Sequence, residues 1–166
     1  MLLPRLLPLA ILLLPLAVGA VERAGVVLRI ADGDTLTLLD ESKATYRIRI
    51  DGIDAPERSQ PYGQRARRSL VELAQGRSAR AECAKSDRYG RSVCRVTVDG
   101  VDVGLEQLRR GLAWHYVKYA HEQTPLARTE YAGAQEQARA ARAGLWHLDA
   151  PIAPWDYRKE QAARTQ

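Results

Sequence analysis

The fold this sequence predicts is α+β: a small, closed or nearly closed β-barrel of five strands that carries about three α-helices. Three observations predict it. Alternating apolar runs fill the first half of the chain, and helical periodicity dominates the second. The first two runs meet at Asp32-Gly33, a strong hairpin signal. Two more runs flank the turn-like Asp87-Arg88-Tyr89-Gly90. The 166 residues fit one domain, and 27% charged with 46% hydrophobic residues excludes a disordered or fibrous chain.

Residues 1–20, MLLPRLLPLAILLLPLAVGA, are read apart from the domain. They hold one charge, Arg5, and end on Val18-Gly19-Ala20, the small-x-small pattern that signal peptidase reads. The apolar stretch is short for a membrane span of about 20 residues, and Pro8 and Pro15 interrupt it. A cleaved secretory leader is therefore expected, with export to the periplasm or beyond. An uncleaved anchor is the alternative.

The domain is expected over residues 21–150. Runs 24–31 and 35–40 form the first hairpin. Run 45–53 alternates, with Tyr46, Ile48 and Ile50 on one face and Arg47 and Arg49 on the other. Residues 61–74 place Ala66, Leu70 and Leu73 at helical spacing before Gly76. The second hairpin occupies 77–98 and turns at Asp99-Gly100. Asp102 suits the cap of a short helix carrying Leu105 and Leu108, which Gly111 ends. Thr124-Pro125 opens a longer helix that runs through Ala143 to Gly144. The tail, 151–166, is polar after Pro154 and Trp155, and a frayed end is expected there. Two hairpin groups with a helix between them suit the five-stranded Greek-key OB barrel, an architecture that often binds oligonucleotides. An SH3-like barrel and a split α+β sheet are the alternatives.

Net charge is +5 at pH 7, which points to an anionic partner, nucleic acid before a membrane surface. The two cysteines and three histidines match no zinc spacing. Strand alternation sets Cys94 with Val96 and Val98, and Cys83 with Ala81. Folding the second hairpin about residues 88–89 brings 83 near 94. In an exported protein that suits a cross-strand disulfide; a one-residue register slip would instead leave two small buried thiols.

Potential chemistry concentrates in three segments. Asp32-Gly33-Asp34-Thr35 puts carboxylates at a tight turn, where they also serve as ordinary turn residues. Arg49 to Glu57 gathers one arginine and the acids Asp51, Asp54 and Glu57 around Pro56. Asp87-Arg88-Tyr89-Gly90-Arg91 sets cations and an aromatic ring in a hairpin loop. Carboxylates from two segments suit a hard cation such as Ca²⁺, and arginines beside them suit bidentate grip on phosphate.

Taken in order, these motifs resemble the staphylococcal nuclease (thermonuclease) family. The resemblance runs from about Val26 to Trp146. It is carried by Ala31-Asp32-Gly33-Asp34-Thr35, Arg49 with Asp54-Ala55-Pro56-Glu57, Asp87-Arg88-Tyr89-Gly90-Arg91, Leu108-Arg109-Arg110-Gly111-Leu112-Ala113 and Gly144-Leu145-Trp146. It implies an OB barrel that hydrolyses phosphodiester bonds of DNA and RNA, usually leaving 3′-phosphates, with Ca²⁺ as cofactor. Asp34 and Asp54 match the carboxylate ligands of that ion, and Ala55 matches a position that offers its backbone carbonyl. Glu57 matches the catalytic glutamate, which takes the proton of the attacking water or positions it. Arg49 and Arg91 match the arginines on the scissile phosphate. Arg88, Tyr89 and Tyr119 match positions near the bound nucleotide. Ala55 stands where threonine is frequent, and Arg88 where lysine is. The expected substrates are single-stranded or breathing duplex DNA and RNA, taken by a monomer. A non-catalytic OB module for single-stranded nucleic acid and a structural Ca²⁺-binding domain are the competing classes; the first gives Asp34, Asp54 and Glu57 no joint purpose, and the second gives none to Arg49 and Arg91.

Overall fold

The computed structural model describes residues 21–164, so the expected leader over 1–20 lies outside the described residues. Strand β1 (Val21–Ile30) turns at Asp32-Gly33 into β2 (Thr35–Leu39), and β3 (Thr45–Ile50) follows antiparallel to β2. Helix α1 (Gly63–Ala74) leads to the hairpin of β5 (Ser78–Ser86) and β6 (Ser92–Val98). Between β3 and α1 lies the two-residue β4 (Ile53–Asp54); after β6 the short β7 (Val101–Asp102) pairs back onto β6, and β4 pairs with the equally short β8 (Trp114–His115). Strand β1 pairs with both β2 and β5, and β6 returns parallel to β3 through Ile48–Ser92, Arg49–Val93 and Ile50–Cys94. That last pairing closes five strands into a barrel and leaves it no open edge at this seam.

The barrel closes because alternation aims one apolar row inward from each strand. Val27, Ile30, Leu36, Leu38, Ile48, Ile50, Val96 and Val98 are all buried in one core. Helix α2 (Val103–Arg109) plugs one end with Leu105 and Leu108, and α1 adds Ala66 and Leu70. As expected, Asp102 caps α2: its Oδ1 accepts the N–H groups of Gly104 and Leu105. The same carboxylate accepts the hydroxyl of Tyr131 from α3 (Pro125–Ala140) and Nε of Arg95, so one side chain ties a strand to two helices.

Cys83 and Cys94 face each other in register and form a disulfide. Three boundaries differ from expectation. The first strand begins at Val21 rather than Ala24, because its start pairs with β5 through Val21–Cys83 and Glu22–Glu82. The run 45–53 breaks at Asp51-Gly52, where Gly52 takes φ of 71°, and the chain then re-enters a different sheet as β4. The long helix stops at Ala140, short of Ala143, since Arg142 and Gly144 both take positive φ.

The larger correction concerns the tail. Residues Pro154–Arg164 form a fourth α-helix, α4, in place of the expected frayed end. Proline at its first position suits a helix start, but what holds the segment is tertiary. The Trp155 ring stacks on Tyr116 with centroids 5.3 Å apart and meets Trp114 edge-on at 5.7 Å. The Gln60 side-chain amide donates to the Ile152 carbonyl at 2.6 Å.

Candidate active site

The Asp32-Gly33-Asp34 turn sits at the end of the barrel where α2 packs. The Asp34 N–H donates to Asp32 Oδ1 at 3.1 Å, the local bond that shapes the turn. Gln107 of α2, fully buried, donates from Nε2 to the carbonyls of Gly33 and Ala66, both at 2.9 Å. A Cβ on Gly33 would lie 2.6 Å from Ala66 Cβ and 2.7 Å from Ala55 Cβ, so only glycine lets the three segments meet. Asp34 then joins the two acidic segments, because its Oδ2 accepts the Ala55 N–H at 2.8 Å.

Arg49 reaches into this junction from β3. Its Nη1 lies 3.2 Å from Asp34 Oδ2, and its Nη2 donates to Asp54 Oδ1 at 2.8 Å. Nη1 also donates to the Ile50 carbonyl. Arg49 is thus a largely enclosed counter-ion for two carboxylates, its side chain 12% exposed. Burial disfavours its charge, yet attraction to Asp34, Asp54 and Asp32 outweighs this and holds its pKa above the ordinary value. Burial raises the pKa of Asp54, opposed by its bonds to Arg158 and the nearby Arg49. Asp32 is pushed up to about 6, first by burial and then by repulsion from Asp34. Acid is therefore in surplus on the floor of the cleft.

Glu57 follows Pro56 on a tight loop. Its carbonyl accepts the Gln60 N–H at 2.8 Å, and its own N–H donates to Gln60 Oε1 at 3.2 Å. Gly63 packs against the Glu57 carbonyl so closely that any Cβ there would collide with it. These contacts fix the Glu57 backbone while its carboxylate stays partly exposed in the cleft. On the opposite hairpin Asp87 fixes Arg91: Arg91 Nε donates to Asp87 Oδ2 at 2.7 Å, and Nη1 to Thr35 Oγ1 at 3.2 Å. The Thr35 hydroxyl donates in turn to Asp34 Oδ1 at 3.0 Å, so Arg91 stands one hydroxyl away from the acidic floor.

Aromatic rings and cations form the rim. Tyr89 is 65% exposed, with the guanidinium groups of Arg88 and Arg91 5.0 and 5.6 Å from its ring centre. Tyr119 carries Lys85 Nζ at 4.8 Å and stands edge-on to Tyr116 at 5.1 Å.

Asp34, Arg49, Asp54, Ala55, Glu57, Arg88, Tyr89, Arg91 and Tyr119 all line this one cleft, as does Asp32. Arg158 of α4 is the participant the sequence reasoning missed. Its guanidinium sits on Asp54 and Glu57, 104 and 101 residues away in the chain. Nothing local marks it, since a lone arginine on a polar helix reads as solvated. Among the described residues no group of three or more His, Cys, Asp and Glu side chains is gathered to hold a metal unaided. The donor set nevertheless fits a hard cation: Asp34 and Asp54 offer buried carboxylate oxygens, and a guanidinium already supplies positive charge at Asp54.

A closed OB barrel bearing paired carboxylates, arginines and an aromatic, cationic rim belongs to a class of folds that often presents such a face to oligonucleotides. The chain belongs to the staphylococcal nuclease family, for residues 47–148 match the family model described as staphylococcal nuclease homologue. It is 36% identical over 135 residues to an uncharacterized endonuclease of Haemophilus influenzae, across 81% of this chain and 72% of that protein. It is 34% identical over 154 residues to an uncharacterized endonuclease of Escherichia coli O157:H7, across 92% of this chain and 95% of that one. A probable staphylococcal-like nuclease of Oryza sativa subsp. japonica is 42% identical over 116 residues, which are 70% of this chain and 33% of the plant protein. The chain thus spans about a third of that plant relative's length.

Proposed function

We propose that this chain is an exported, calcium-dependent nuclease that hydrolyses phosphodiester bonds within DNA and RNA with little sequence preference. One observation carries the reading: Glu57 stands beside the Asp34–Arg49–Asp54 cluster, with Arg91 one hydroxyl away, in a single open cleft. The composition of residues 1–20 supports export.

Hydrolysis requires a base for water and neutralisation of charge that grows on the phosphoryl oxygens. Glu57 is the partly exposed carboxylate of the cluster and takes the water proton as the new P–O bond forms; the opposite P–O ester bond breaks, and the departing sugar oxygen takes up a proton from solvent. Arg91 uses Nε and Nη1 within the protein, and its Nη2 makes no protein hydrogen bond among the described residues, so that N–H is directed to a phosphoryl oxygen. Arg49 places its charge beside the same phosphate and pairs with the carboxylates of Asp34 and Asp54. Asp34, Asp54 and the carbonyl of Ala55 would hold calcium, which supplies positive charge against the departing oxygen and the phosphate. Tyr89 and Tyr119 present ring faces, and Arg88 presents charge, while Lys85 is held at the rim by its ion pair with Glu122. These groups grip bases by stacking and the backbone by attraction, without reading base edges.

The test digests supercoiled plasmid and single-stranded RNA with calcium or with EGTA. Wild-type protein should cut both only with calcium. Glu57→Ala should cut about 10²–10⁴-fold more slowly, the usual cost of losing a general base, with an unchanged circular dichroism spectrum. Binding without cleavage by wild-type protein would overturn the enzyme reading in favour of a binding module.

A further inference from the structure

Arg158 lies outside the residues that match the family model, on the helix that ends the described chain. Its Nη2 donates to Asp54 Oδ2 at 2.8 Å, and its Nη1 lies 3.3 Å from Asp54 Oδ1 and 2.7 Å from Glu57 Oε1. Asp54 Oδ1 also accepts from Arg49. Both oxygens of Asp54 and one of Glu57 are thus engaged by a single guanidinium, the fork geometry that suits carboxylates.

The helix that delivers Arg158 is anchored by other residues. Trp155 stacks on Tyr116, Gln60 holds the Ile152 carbonyl, and the hydroxyls of Tyr157 and Ser59 lie 3.2 Å apart. The backbone is therefore fixed while the Arg158 side chain remains 44% exposed. It is able to swing into water without moving the helix. Asp54, by contrast, is 2% exposed and cannot exchange its partner for solvent.

We propose that Arg158 is a displaceable internal counter-cation: it occupies Asp54 and Glu57 when no divalent ion is bound, and it sets the calcium concentration at which the site fills. The proposal rests on the reading of Asp54 as a calcium ligand. A guanidinium satisfies the buried carboxylate in the metal-free protein, whereas a divalent ion must displace it to reach the same oxygens. The C-terminal helix thereby competes with calcium and raises the threshold for activity.

The test is calorimetric titration of CaCl₂ into the EGTA-stripped, dialysed full chain, for wild type, Arg158→Ala, Arg158→Lys and Asp54→Asn, with melting temperatures in EGTA and in saturating calcium. Arg158→Ala should bind calcium about tenfold more tightly, on the scale of one partly exposed, charge-assisted pair. Its melting temperature should fall in EGTA and recover toward wild type in calcium. Arg158→Lys, which keeps charge but loses the fork, should lie between the two. A merely structural role would lower both melting temperatures alike and leave the dissociation constant unchanged, and that result overturns the proposal. Weaker calcium binding by Arg158→Ala overturns it as well. If Asp54→Asn leaves the wild-type isotherm unchanged, the calcium-ligand reading itself fails and takes the proposal with it; if Asp54→Asn weakens binding while Arg158→Ala does not alter it, the proposal alone fails.

Discussion

Gln107 and Asp87 touch no substrate in the proposed reaction, yet each holds a piece of the site in place. Gln107→Leu keeps the volume but leaves the Gly33 carbonyl without its donor, while the Ala66 carbonyl keeps its partner in the α1 ladder. A buried acceptor left unpaired costs about 1–3 kcal/mol, so a loss of that size on urea unfolding is expected, with calcium affinity falling as the Asp34 turn loosens. Asp87 works through charge. Burial would raise its pKa, but hydrogen bonds from the Arg91 N–H, the Arg91 guanidinium and the Tyr89 N–H outweigh burial and lower it. A lowered carboxyl pKa stabilises the folded protein above the unfolded value of about 3.9, and that stability is lost as pH falls through the lower folded value. The gap in melting temperature between wild type and Asp87→Asn should therefore hold steady above about pH 5 and narrow below about pH 4. A gap that persists undiminished at pH 3 would mean that the Asp87 charge does not hold Arg91. The acids of this site were legible in the sequence because turn chemistry and spacing along one segment are local properties. Arg158 was not, because its partnership is set by where α4 docks.

Elements were legible where alternation or helical spacing ran uninterrupted. The first hairpin, α1, the cap of α2 by Asp102 and the Cys83–Cys94 register all follow from such patterns. What failed was the tail, where the helix depends on Trp155 finding Tyr116 and Trp114, contacts that no periodicity announces. The β4–β8 pair was likewise unforeseen, since two-residue strands carry no pattern. The disulfide gives the element-scale prediction. It joins β5 to β6 across 11 positions of sequence, and the loop it closes carries Arg88, Tyr89 and Arg91. Chain-entropy models give roughly 3 kcal/mol for a ring of that size. Reduction should lower the melting temperature by on the order of 10 °C in a domain this small. The acidic floor lies on other elements, so activity at low temperature should fall only modestly, through a looser Arg91. An unchanged melting temperature after complete reduction, checked by mass, would show that the ladder alone holds this hairpin.

Across the whole molecule, acids converge on the floor of the cleft while cations ring its mouth, and the chain carries net charge +5. This separation lets a polyanion approach a site whose centre is acidic: the rim attracts the backbone at a distance, and the floor waits for a cation. Binding by such a rim releases counterions, so affinity should fall log-linearly with salt, with a slope of about 0.7 per neutralised phosphate on single strands. Glu57→Ala, slow enough to leave its ligand intact, allows the measurement by fluorescence anisotropy on a labelled single-stranded oligonucleotide at 50–200 mM KCl with calcium present. Removing Arg88 by Arg88→Ala in that background should reduce the slope by about 0.7, equally on mixed and homopolymeric sequences, as expected of a contact to phosphate rather than to base edges. Arg109 provides the contrast, for it lies exposed on α2 near Glu106 and away from the cleft. Arg109→Ala removes the same unit of net charge and should leave the slope where it was. If both variants shift the slope equally, net charge alone governs binding and the rim has no special part in it; a slope altered only by Arg88→Ala places the phosphate path along the β5–β6 loop.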